Sequence, residues 1–97
     1  MHKIVINVCY GAYSMSKEGQ DWLKEKYDVD NYEDLSRHDP RLVECVETLK
    51  EKVNGYTSRL TIMEVKSNKY RICEYDGREW VETPDDLDWI ELKDNEG

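Results

Sequence analysis

Residues 3–9 read "KIVINVC", and this short run constrains the chain more than any other. Ile4, Val5, Ile6 and Val8 are mostly β-branched, which suits an extended backbone. The apolarity is almost continuous rather than alternating, so a strand over Lys3 to Cys9 must be covered on both faces. A fold with this strand at its centre needs material on each side of it. Ninety-seven residues supply one modest core, so a single domain over residues 1–97 is expected.

The rest of the chain provides the cover. Ser16 is placed as the N-cap of a helix from about Lys17 to Tyr27, with Trp22, Leu23 and Tyr27 as its apolar stripe. A polar stretch over residues 28–40 carries one short helical turn around Tyr32 to Leu35. Asp39 then caps a second helix with Pro40 at its first position. Leu42, Val43, Val46, Leu49 and Val53 share one face of that helix, and Asn54-Gly55 is expected to close it. "RLTIMEV" (59–65) and "KYRICEY" (69–75) read as a hairpin through Lys66-Ser67-Asn68. Asp76-Gly77 is a turn dipeptide from which "REWVE" (78–82) returns as a further strand.

This gives an α+β fold: a small two-layer sandwich in the order β-α-α-β-β-β. Two helices pack on a mainly antiparallel sheet of about four strands. Leu87, Trp89, Ile90 and Leu92 could cap the core or form a short edge element, and residues 93–97 are expected to fray.

Composition excludes several functions. The net charge of −8 opposes direct binding to nucleic acid or to an anionic membrane, and favours basic partner surfaces. No stretch approaches the length of a membrane span, and no secretory leader is visible. Cys9, Cys45 and Cys73 are odd in number and sit in apolar segments. They are read as reduced, buried thiols of a cytosolic protein, with no metal site and no cofactor.

Three clusters could carry function. Gly11, Ser14 and Ser16 lie at a strand-to-helix junction, where free N–H groups and hydroxyls welcome an anion. "SRHDPR" places Arg37, His38 and Arg41 around the start of the second helix, and Arg forks well onto phosphate. Tyr10 and Tyr13 flank the glycine turn and could stack on a base. Against these readings stand ordinary helix capping, surface ion pairs of Arg37 and Arg41 with Asp34, Asp39 or Glu44, and core packing of Tyr70 and Trp80. Asp76 and Glu79 read as turn chemistry and solvated charge, and no catalytic set is assembled, so an enzyme is not expected.

"KIVINVCYGAYSMS", "RHDPRLVECVETLKEKVNG" and "YRICEYDGREWVE" together resemble a family of small phage and prophage proteins. That family opens on a KIVINxCYGGFSLS-like motif, continues with an RxDPxLV helix and closes on an EYDG strand segment. Ala12 stands where the family's second glycine is usual, and acidic "VETPDDLDWI" replaces a basic stretch. The resemblance implies a phage-encoded protein in the cytoplasm of an infected bacterial host.

The combined expectation is a non-enzymatic binding protein that sequesters a small phosphorylated or nucleotide ligand, such as a host-defence signal. Its site would comprise Tyr10, Gly11, Tyr13, Ser14, Ser16, Arg37, His38 and Arg41. A concave site rarely fits inside so small a domain, so a homo-oligomer is expected. The alternative is an acidic interaction protein that inhibits a host factor by covering a basic, nucleic-acid-binding surface.

Overall fold

The computed structural model describes residues 1–84. Strand β1 spans His2–Asn7, helix α1 Lys17–Tyr27, helix α2 Pro40–Leu49, and strands β2, β3 and β4 span Leu60–Val65, Arg71–Tyr75 and Arg78–Glu82. Short 3₁₀ turns occupy Tyr32–Asp34 and Lys50–Val53. The fold is α+β in the order β-α-α-β-β-β, with both helices packed on four antiparallel strands. The expected tail elements at 87–92 and the fraying at 93–97 lie outside the described residues.

The hydrogen-bonded ladders are β1–β2 and β3–β4. This corrects the expected hairpin between β2 and β3. The most apolar strand takes β2 as its antiparallel neighbour, with Ile4 opposite Met63 and Ile6 opposite Thr61. β3 is left to pair with β4 across Asp76-Gly77. Both turn residues have positive φ, 54° and 90°, as a tight hairpin turn requires.

Burial of β1 on both faces is observed. Val5 faces the helices with Leu23, Leu42, Val46, Val53 and Leu60, and Ile4 and Ile6 face the other way, against Ile72 and Val81 of the second ladder. Regular strand ends at Asn7 rather than Cys9, because the chain then wraps around the Asn7 side chain.

The helix starts are capped as their sequences specify. The Ser16 hydroxyl accepts from the Gly19 N–H, and the Asp39 carboxylate accepts from the Arg41 N–H beside Pro40. The end of α2 differs from expectation: the helix stops at Leu49, where Lys50 takes a positive φ of 54°, and Asn54 instead bridges to Met15. The helices run antiparallel. Tyr27 at the end of α1 hydrogen-bonds Glu44 near the start of α2, while Gly19 near the start of α1 packs against Val53 beyond the end of α2.

The expectation of three buried thiols is corrected. Cys45 is buried, whereas Cys9 and Cys73 are half-buried. Core packing of Trp80 is corrected as well: it is 38% exposed, because it alternates with inward-facing Glu79.

Candidate functional site

The eight residues expected to form one anion site are distributed over separate structures. Because α1 and α2 are antiparallel, their N-termini lie at opposite ends of the helical layer. The single proton of the Ser16 hydroxyl is already committed: it goes to the Lys52 carbonyl at 2.6 Å, while the oxygen accepts from Gly19. At the start of α2 the anion is already present. The Asp39 carboxylate caps the helix and also holds the Arg41 guanidinium at 3.0 and 2.8 Å. That guanidinium, together with the cap, holds the Asp39 carboxyl below its ordinary range. Ser14 lies against Gly55, and its carbonyl accepts from the Ser58 hydroxyl.

Arg37 is brought close to Tyr13, but not as an open anion clamp. Its guanidinium lies 3.5 Å from the centre of the Tyr13 ring and forks onto Glu79 at 2.7 and 3.0 Å. It also donates to the Val5 carbonyl, and its own carbonyl accepts from the Val5 N–H. Burial works against the charged guanidinium, while the hydrogen bonds and charge of Glu79 favour it and raise its pKa overall. The side chains are 21% and 7% exposed, so Glu79 is a buried ion-pair partner and not the solvated charge expected of it.

Gly11 and Tyr10 belong to a junction organised by a residue the sequence reading passed over. Asn7 is fully buried. Its amide nitrogen donates to the carbonyls of Cys9, Gly11 and Gly77, and its amide oxygen accepts from the N–H groups of Cys9 and Arg59. Gly11 is pressed against Thr57 and Gly77 so closely that a side chain at Gly11 or Gly77 would strike backbone. Tyr10 projects from this junction, 66% exposed. The available signal for Asn7 was a lone amide inside an apolar strand, since a buried polar group must find partners.

His38 leads to a different site. A pocket of about 280 Å³ is lined by His2, Lys3, His38, Ser67, Asn68 and Tyr70. Three elements converge there: the start of β1, the loop before α2, and the connection from β2 to β3. His38 Nδ1 and the Tyr70 hydroxyl share a 2.6 Å hydrogen bond with their rings edge to face. Lys3 is held by Glu47 at 2.6 Å, and the Ser67 hydroxyl accepts from the Lys69 N–H while keeping its own proton to donate. His2, Asn68, Lys66 and Lys69 have no side-chain partner among the described residues. Sequence reasoning missed this grouping because His2 and the 66–70 segment meet only through the β1–β2 ladder, where His2 stands opposite Val65.

Among the described residues, no group of His, Cys, Asp and Glu could hold a metal ion, and no helix is long and apolar enough to cross a membrane. Comparison with family models, curated proteins and solved structures gave no match.

Proposed function

We propose that this protein binds a small phosphorylated or nucleotide ligand without transforming it, and that the His2–His38–Asn68 pocket receives the anionic group. One observation carries the reading. A chain of net charge −8 gathers His2, Lys3 and His38 with the donors of Ser67 and Asn68 around one concavity. Lys66 and Lys69 stand beside it in the chain, their side chains without partners among the described residues. Cationic and neutral N–H and O–H donors converging on a hollow are the chemistry that holds phosphate. Arg37 and Arg41 are engaged by Glu79 and Asp39 instead, Arg37 in a largely buried pair. In the phage-infected cell that the family resemblance implies, sequestration of a soluble nucleotide signal is the corresponding activity.

The test is calorimetric titration with inorganic phosphate and a panel of mono-, di- and cyclic nucleotides. His38→Ala and Asn68→Ala should each weaken binding several-fold, and Arg41→Ala should leave it unchanged. Absence of heat for the whole panel at millimolar ligand refutes the reading.

The acidic-interaction reading retains one observation in its favour. Six acidic residues against one lysine fall within residues 85–97, so about five of the chain's net eight negative charges lie in that segment. Such a segment would engage a basic protein surface with an affinity that falls steeply as salt rises.

A further inference from the structure

The two outer edges of the β1–β2 ladder are treated differently. On β1, the odd-numbered residues point away from β2. The Val5 N–H goes to the Arg37 carbonyl, the Asn7 N–H goes to Glu79, and the Val5 carbonyl accepts from the Arg37 guanidinium. That edge is blocked. The Val8 N–H, pointing the other way, reaches the Arg59 carbonyl, which sets the alternation for β2. Thr61, Met63 and Val65 therefore face β1, and Leu60, Ile62 and Glu64 present their backbone groups outward.

Of these outward donors, only the Leu60 N–H has a partner among the described residues, the Asn54 side chain at 2.8 Å. The N–H and C=O groups of Ile62 and Glu64 have none among the described residues. Ile62 also lines a groove of about 300 Å³ between β2 and the end of α2, with Val46, Leu60 and the charged Glu47, Lys50 and Arg59 among its walls. The strand reads "LTIMEV", with no proline, no lysine and no bulge to discourage pairing. At its centre stands Met63, 40% exposed.

We propose that β2 is the dimerisation edge of this protein, joining antiparallel to β2 of a second copy about a twofold axis at Met63. The pattern of free groups is self-complementary, so a second copy can satisfy all of them in one register. Asn54 removes Leu60 from the donors, leaving Ile62 and Glu64, which are symmetric about Met63. With Ile62 opposite the partner's Glu64, each such pair exchanges both N–H···O=C bonds, and the twofold repeats the exchange. Met63 then meets its own copy at the closely spaced, non-hydrogen-bonded position, which covers the apolar side chain. The two-stranded ladder, a marginal unit by itself, becomes the four-stranded sheet β1-β2-β2-β1. This inference does not depend on the anion pocket, which lies at the other edge of β1 and beyond the end of β2.

The test combines light scattering with amide hydrogen exchange on the full chain. The wild type should show twice the chain mass at high micromolar concentration. The Ile62 and Glu64 amides should gain protection with concentration, while the Thr61 and Met63 amides are protected throughout. Glu64→Pro removes an outward N–H without touching the β1 ladder, and Met63→Lys sets two ammonium groups against each other across the axis. Both variants should be monomeric with unchanged circular dichroism. If Glu64→Pro does not fold, Met63→Lys and the exchange pattern decide. A wild type that stays monomeric overturns the proposal. So does a dimer in which the Ile62 and Glu64 amides exchange freely, or one that survives both substitutions.

Discussion

Arg37 and Glu79, 42 residues apart, form a two-point ion pair that also closes the outer edge of β1. The same two residues supply three of the hydrogen bonds a neighbouring strand would have made to Val5 and Asn7. They also tie the loop before α2 to β4, and so hold the second ladder against the first. Removing one partner should therefore leave a buried charge and open backbone groups together. Arg37→Ala and Glu79→Ala should each destabilise the fold by about 3 kcal/mol in urea unfolding. The double variant Arg37→Met with Glu79→Leu should recover part of the loss. It should not recover all of it, because the Val5 carbonyl and Asn7 N–H remain unpaired. Full recovery would show that the pair acts only as a charge pair and not as an edge closure.

Asn7 is the second point on which the fold turns. Its side chain serves three carbonyls and two N–H groups from three segments. Leucine has similar bulk and no hydrogen-bonding capacity, so Asn7→Leu isolates the hydrogen bonds from the packing. It should cost more than about 3 kcal/mol, at the upper end of single-residue effects. Asn7→Asp should be at least as damaging at neutral pH, since a carboxylate would face the carbonyls of Cys9, Gly11 and Gly77 with nothing to donate. Lowering the pH should narrow the gap between Asn7→Asp and the wild type and leave the Asn7→Leu deficit unchanged, measured by thermal unfolding of all three proteins across an acid series.

The helices, the hairpin turn and the two-sided burial of β1 were legible because each rests on a local signal. Ser16 and Asp39 are caps, Asp76-Gly77 supplies positive φ, and an unbroken apolar run has no face for water. Strand pairing was not legible in the same way. Nothing near Lys66-Ser67-Asn68 tells whether β2 will turn back on β3 or pair with β1, since the choice is settled by the burial of Ile4 and Ile6. The placement of the candidate site residues was illegible at the same level. Arg37, Arg41 and Ser16 have the right chemistry for an anion, but Glu79, Asp39 and Lys52 reach them first. Only His38 carries over, and its companions His2 and Asn68 are distant in the chain.

The cysteines should separate by burial. Cys45 is enclosed between the helices with its thiol toward the Gly19 carbonyl, and burial pushes its pKa up to about 11. Thiolate is the reactive form, so Cys45 should label only as fast as the chain opens. Cys73 is half-buried, and its pKa is raised first by desolvation and then by Glu82. Cys9 and Cys73 should both be modified before Cys45 when a thiol reagent is added to the folded protein. Mass spectrometry of peptides over time reads the order. Cys45 reacting as early as the other two would show that the α1–α2 interface opens readily.

Tyr13 gives the fold an alkaline limit. Its hydroxyl is buried with no hydrogen-bond partner among the described residues, and its ring lies beneath the Arg37 guanidinium and beside Tyr32. Burial drives the phenol pKa up to about 12, only partly opposed by the positive charge of Arg37. In the unfolded chain it titrates near its ordinary value of about 10. Below that value both states hold the proton and stability is unaffected by this group. Between about 10 and 12 the unfolded state releases the proton first, so it binds fewer protons than the native state and stability falls as pH rises. Tyr13→Phe keeps the ring under Arg37 and removes both the titration and the unpaired hydroxyl. It should match or exceed the wild type in stability at neutral pH. It should also lose less stability than the wild type between about pH 10 and 12, followed by urea unfolding at each pH. An identical alkaline decline in both proteins would assign the loss to other tyrosines and to the lysines.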